Sequence, residues 1–434
     1  MDLRVSEASY PLSFRQEDAK KLGEYIKQRH CVNIIGMRRV GISNFLRFFL
    51  NHKDITTTYI SKTQKHLFIP VDLNDLVERE IYPFWTLTLK RIVDAAETSS
   101  LPQETKNKIN SLFLSSIQSQ DLFLVVDSIR RALSLIVEKE IYPTLFFLRF
   151  DRLEDAFNPS FFDNLKGLQD ATQQQLVYIF TSYRSLDTIF PSAKSALSAF
   201  VHPMYAGPAK EEDMKAIYEA YKKRYEFSLS ESAEKALFRL VSGNVQYLQL
   251  ALTILNEQQD TKLQKEALLQ VLVADERITL ESEELWESLS KDEKKVLLQI
   301  IKEKTVSDAE KTKAIYLWET GFIQEGGKKR EIFSPLFESY LRQVEGEEQK
   351  KHQVVHLTRK EHLLFSLLES QLGEICEREE IIDVVWPEYK EFGVSDWAID
   401  RLVARVRVKL RQQSSPYEIV TVRTRGYKLS TVKE

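Results

Sequence analysis

Over the first two hundred residues the apolar positions gather into short runs, separated by stretches of helical period. The runs are CVNII (Cys31 to Ile35), LFIPV (67 to 71), TLFFLRF (144 to 150) and LVYIF (176 to 180). Runs without alternation suit strands buried on both faces, and the helical stretches between them supply the crossovers of a parallel sheet. A helix is predicted through FRQEDAKKLGEYIKQRH with Ser13 as its N-cap, and a second near Ser43 to Asn51, after Gly36. Residues 208 to 275 have no comparable run and read as helical throughout. Segments 290 to 345 and 357 to 430 each read as helices followed by a short hairpin, with the polar linker GEEQKKHQ (Gly346 to Gln353) between them.

A chain of 434 residues exceeds one core, and at roughly 150 residues per domain it divides into about three units. Its 43% hydrophobic and 29% charged residues are ordinary for globular protein. The net charge of -3 excludes a uniformly basic nucleic-acid coat but leaves room for a local basic face. Cys31 and Cys376 match no zinc spacing, which points to a reducing compartment. The start, MDLRVSEASYPLSFRQ, has no apolar signal core, and even TLFFLRF is interrupted by Arg149. A soluble, cytoplasmic chain with no membrane partner is expected.

Four blocks mark the C-terminal region: LTRKEHLLFSLLE (357 to 369), REEIIDVVWPE (378 to 388), SDWAIDRLVARVRVKL (395 to 410) and IVTVRTRGYKL (419 to 429). Ile399, Leu402, Val403, Val406 and Leu410 recur at helical spacing and form one buried stripe. Residues 395 to 434 hold nine Lys/Arg against four acids, whereas 356 to 394 hold four against nine. The domain is therefore polarised, with the basic end that a duplex requires. In order and content the blocks resemble the OmpR/PhoB-type winged-helix effector domain. That resemblance implies double-stranded DNA as partner, with Arg405 at base edges in the major groove and Arg423 in the minor groove. It places Thr421, Arg407 and Trp386 on the backbone or groove wall. Arg401, Lys409, Arg425 and Lys428 complete the expected basic contact set. Leu402, Ala404, Trp397 and Thr424 depart from the family pattern and leave the target sequence open.

Gly36-Met-Arg-Arg-Val-Gly41-Ile42-Ser43 falls between a strand and a helix, the setting of a phosphate loop. Such a loop needs glycines for backbone N–H contacts, a lysine for the outer phosphates and Ser/Thr for magnesium. GMRRVGISNFLRFF resembles the loop of STAND-type ATPases, relatives of the AAA+ group, but Ile42 stands at the lysine position. The resemblance implies ATP or ADP with magnesium as cofactor, held by Gly36, Arg38, Arg39, Gly41, Ser43 and Asn44. Asp151, at the end of TLFFLRFD, takes the Walker B place, with Ser43 and Asp151 as the magnesium ligands. Thr181 and Arg184 follow the next strand, where a phosphate-sensing group is expected. A hydrolytic member would carry Glu after Asp151; this chain has Arg152, and Glu154 and Asp155 are displaced. VSGNVQYLQLAL resembles the family's lid motif with Val245 at the usual proline.

The expected architecture is multidomain. An α/β P-loop NTPase-like parallel sheet (1–205) precedes a helical lid (206–278), a middle winged helix (279–346) and an OmpR/PhoB-like winged helix (354–434). The function expected is a transcriptional regulator whose degenerate ATPase unit senses a nucleotide or signal or serves as architecture, with self-association as a further partner mode. The alternatives are an ATPase motor or replication-initiator-like protein, opposed by Ile42 and Arg152, and a protein-interaction scaffold, opposed by the polarised charge.

Overall fold

The computed structural model describes residues 5–431 other than 77, 154–158, 195–196, 198–199, 259–264, 327–328, 351–356, 388–395, 413–414 and 423–424. The chain forms two compact units, Met1–Arg342 and Gln343–Glu434.

The first unit is built on five parallel strands: β1 (Cys31–Ile35), β2 (Lys65–Asp72), β3 (Ile141–Leu148), β4 (Val177–Ser182) and β5 (Val201–Tyr205), in the order β2-β3-β4-β1-β5. The apolar runs occupy the centre: every residue of β1 and β4 is buried, whereas β2, at an edge, is buried only at every second position over part of its length. β5 was not foreseen. Its sequence VHPMY carries Pro203 opposite Asn33 of β1, which an edge strand tolerates because one side needs no ladder donor. Helix α1 (Gln16–Lys27) leads into β1, and α2 (Ile42–Asn51), α3 (Ile81–Thr98), α4 (Gln103–Ser119), α5 (Leu122–Val137) and α6 (Pro159–Ala171) lie in the crossovers. α3 and α6 contribute buried aromatic side chains to the core that includes Phe147 of β3, and α5 adds aliphatic ones. Phe84 packs on Trp85, Phe147 and Phe161 with ring centroids 5.1 Å apart in each pair, so these aromatic side chains are core.

The first helix departs from expectation. It begins at Gln16 rather than after Ser13, with Arg15 at the cap in the left-handed region (φ 45). A long-range tether causes this: the Arg15 amide donates to Asp213 Oδ1 at 2.7 Å and its guanidinium to the Gly207 carbonyl at 2.8 Å.

Helices Glu211–Tyr225, Glu231–Val241, Val245–Gln258 and Lys265–Ala274 follow the sheet. Next come Glu276–Glu287, Lys291–Ile301 and Asp308–Lys313, the hairpin of β6 (Ile323–Gly326) and β7 (Lys329–Ile332), and Pro335–Lys350. The last helix corrects the expected linker: Gly346 to Lys350 are helical, and the remainder of that segment lies outside the described residues.

The second unit contains helices Arg359–Ser370, Arg378–Val385 and Asp396–Gln412, with β8 (Cys376–Glu377), β9 (Tyr417–Val422) and β10 (Gly426–Thr431) in the antiparallel order β8-β10-β9. Ile399, Leu402, Val403, Val406 and Leu410 join Leu364, Ile381, Tyr427 and Leu429 in its core, as their spacing predicts. Both cysteines are buried thiols, and among the described residues no helix is long and apolar enough to cross a membrane.

Candidate ligand cavity and nucleic-acid interface

In open parallel sheets, ligands bind beyond the carboxyl ends of the strands where neighbouring connections diverge. β1 sits between β4 and β5, and the loop that leaves it borders a cavity of about 470 Å³. The loop is tight for identifiable reasons. Gly41 has φ 111, and a Cβ there would lie 2.4 Å from Val245 Cγ2; a Cβ on Gly36 would lie 2.7 Å from the Ala206 carbonyl oxygen. Val245, the departure from the lid motif, thus closes over the loop. Ile42 folds back toward Gly36.

Gly36, Arg38, Arg39, Gly41, Ser43, Asn44, Asp151 and Thr181 all border this cavity. Their side chains are engaged as follows. Arg38 Nη1 lies 3.3 Å from Glu284 Oε1; Arg39 lies 3.1 Å from Glu281 and 2.9 Å from Glu284. Both glutamates are buried on the Glu276–Glu287 helix. Asn44 donates to Glu7 Oε1 at 3.0 Å, and Arg47 binds the same oxygen at 2.7 Å. Burial would raise the Glu7 carboxyl, but the Arg47 hydrogen bond and charge hold it below the usual value. Thr181 Oγ1 accepts the Arg149 amide at 2.7 Å. Burial pushes the Asp151 carboxyl upward against the pull of Arg38, Arg152 and Arg149.

Arg184 is a correction. Its guanidinium does not border the cavity: it grips Glu293 at 2.7 and 2.6 Å, donates to the Ser288 carbonyl at 2.6 Å and stacks over Tyr316 at 3.8 Å. It fastens the end of β4 to the helices that follow the lid.

Arg149 is the residue that sequence reading missed. Its charge at the end of an otherwise apolar strand was the available signal. Its guanidinium binds both Asp72 oxygens at 2.5 Å and comes within 3.5 Å of Ser43 Oγ. Arg152 also borders the cavity. Its pKa is lowered by burial first, then by the like charges of Arg149 and Arg79.

In the second unit several expected DNA contacts are structural. Trp386 is buried in the core, where it caps the Arg378–Val385 helix under Lys360. Arg407 donates to the Ile419 carbonyl at 2.8 Å and Thr421 Oγ1 at 2.7 Å, fixing the helix to β9. Lys409 lies 2.6 Å from Glu361, and Arg405, with a side chain 23% exposed, lies 3.7 Å from it. Glu361 closes the capping box with Thr358, which is why a carboxylate sits beneath the helix. Arg378, Asp400 and Tyr427, also missed, join in one hydrogen-bonded cluster. The outward side of the Asp396–Gln412 helix shows Ala404, Val408 and Arg411 exposed, with Arg401 half-buried beside them. On the hairpin, Thr421 and Arg425 are exposed and Lys428 is half-buried, while Arg423 lies outside the described residues.

Residues 352–429 match the family described as transcriptional regulatory protein, C terminal. Among curated proteins none matches the chain. Solved structures with similarity include the Walker-type ATPase PABY2304 of Pyrococcus abyssi, at 16% identity over 76% of this chain and 95% of that one, TM-score 0.47. The Aeropyrum pernix ORC2 protein gives 10% over 81% and 98%, TM-score 0.44. The Aeropyrum pernix ORC1 protein in complex with DNA gives 12% over 98% and 91%, TM-score 0.40. The strand order and the loop after β1, rather than these likenesses, carry the P-loop ATPase fold of the first unit. The second unit carries a winged-helix DNA-binding domain of transcription regulators.

Proposed function

We propose that the chain is a DNA-binding transcription regulator whose first unit binds a phosphate-bearing ligand as a signal and does not turn it over. The observation that supports it most is the pairing of a regulator-type winged helix with a cavity that keeps the phosphate loop but not its lysine. Ile42 has no charge to offer a phosphate, Arg152 replaces the acid that would activate water, and Arg38 and Arg39 are held by Glu284 and Glu281.

On the DNA side, Ala404, Val408 and Arg411 follow one another at helical spacing on the outward face, with Arg401 and Arg405 beside them. Small apolar groups in the major groove suit thymine methyls, and flanking guanidiniums suit guanine edges or phosphates. Site selection with the full chain on random duplexes tests this reading. It predicts one enriched motif containing thymine. Val408→Asp should weaken that motif more than random DNA, and Lys428→Ala should lower affinity for all duplexes alike. A chain that enriches no motif would defeat the regulator reading.

A further inference from the structure

Arg149 joins the carboxyl ends of β2, β3 and β4. Its amide donates to Thr181 near the end of β4, its guanidinium binds Asp72 at the end of β2, and the Nη2 atom approaches Ser43 at the start of α2. The residue adopts φ 59, a left-handed conformation that a non-glycine residue keeps only when its surroundings hold it there. Asp72 is fixed in turn by the Asn74 amide at 3.0 Å. The guanidinium is therefore placed in advance, about one-third exposed toward the cavity.

This arrangement does not fit the magnesium site that Ser43 and Asp151 imply. The Ser43 hydroxyl already faces a cation, and Asp72 is neutralised by the same cation. Arg152, the next residue after Asp151, brings a further positive charge to the cavity wall. A divalent ion at Ser43 would be repelled by Arg149, whereas a polyphosphate would meet a guanidinium with donors left to give. Gly41 caps α2 without a side chain, so that helix start borders the cavity and adds its own attraction for an anion.

We propose that the cavity takes the di- or triphosphate group of its ligand on Arg149 in place of a divalent metal ion, so that binding needs no metal. The inference rests on the reading of the cavity as a phosphate site. Arg149 neutralises the phosphate oxygens that magnesium would otherwise bridge, and no bond is made or broken.

Isothermal titration of the full chain with ATP, ADP and inorganic tripolyphosphate, each in excess magnesium and in excess EDTA, tests it. Affinity should agree within about twofold between the two buffers, and Arg149→Ala should lower it by about tenfold or more in both, the loss of a charge-assisted hydrogen bond. ATP and ADP binding without tripolyphosphate binding would identify a nucleotide as the source of the phosphate; tripolyphosphate binding equally well would identify the phosphate chain alone. Binding only in magnesium would overturn the inference and leave the phosphate-site reading standing. Binding unchanged by Arg149→Ala, in a variant with wild-type hydrogen-exchange protection, would also overturn it. No binding in either buffer would remove both.

Discussion

Lys409 Nζ lies 2.6 Å from a carboxylate oxygen of Glu361, whose side chain is 2% exposed. A cation on the Asp396–Gln412 helix is thereby committed to the interior of its own domain. Removing one partner of a buried pair leaves the other charged and without full compensation. Lys409→Met should therefore destabilise the winged helix by about 2 kcal/mol, moderated because Arg405 remains near Glu361. Hydrogen exchange of amides between 359 and 429 in the full chain reads this directly. Unchanged protection with uniformly weaker DNA binding would return Lys409 to the contact set.

The same pair sets an acid limit. Burial would raise the Glu361 carboxyl, but hydrogen bonds from Lys409 and the Thr358 amide, with the Arg405 charge, hold it below its ordinary value. A carboxyl lowered by folding contributes stability that is present above its unfolded pKa, about 4.3, and is lost as pH falls through the folded value. Protection of the winged helix should thus decline below about pH 4. Glu361→Gln should remove that component of the decline while lowering stability at neutral pH. If the variant lost protection over the same pH range as the wild type, the decline would belong to other carboxylates.

Much of this architecture was legible because its signals are local. Short apolar runs located β1 to β4, and the five apolar positions of the Asp396–Gln412 helix identified its buried stripe. What escaped were partners distant in sequence. Nothing near Arg38 or Arg39 announces Glu284 and Glu281, nearly 250 positions away, and nothing near Lys409 announces Glu361. A basic helix face looks the same in sequence whether its charges meet phosphate or the domain's own carboxylate. Trp386 shows the converse: its resemblance-based place on the groove wall gave way to apolar burial. Arg149 was visible as an interruption of a strand, but its role depends on Asp72, Thr181 and Ser43 from separate elements.

Gly41 tests the loop as a structural element. At φ 111 an alanine is strained, and its Cβ would meet the Val245 side chain at 2.4 Å. Gly41→Ala should destabilise the first unit by more than about 1 kcal/mol, since strain and contact act together. Val245→Ala in the same chain should recover the contact part and leave the strain. Denaturant titration of the single and double variants separates the two. Equal stability of wild type and Gly41→Ala would mean that the loop adopts another conformation.

Glu284 bears on ligand affinity through the arginines it holds. It lies 3.3 Å from Arg38 and 2.9 Å from Arg39, and it borders the cavity, so an incoming phosphate competes with it for both guanidiniums. Glu284→Gln keeps nearly the same shape, and Arg39 retains Glu281, so the helix should stay seated. The charge that opposes the ligand is gone, however. At an effective dielectric near 20, removing one like charge several ångströms from a phosphate is worth about 1 kcal/mol after screening, or roughly fivefold in affinity. Tripolyphosphate should therefore bind Glu284→Gln about fivefold more tightly than wild type, and the gain should shrink as salt is raised. Weaker binding would carry the opposite meaning: Glu284 would then be the group that orients Arg38 and Arg39 toward the ligand, and the ion pairs would belong to the bound state.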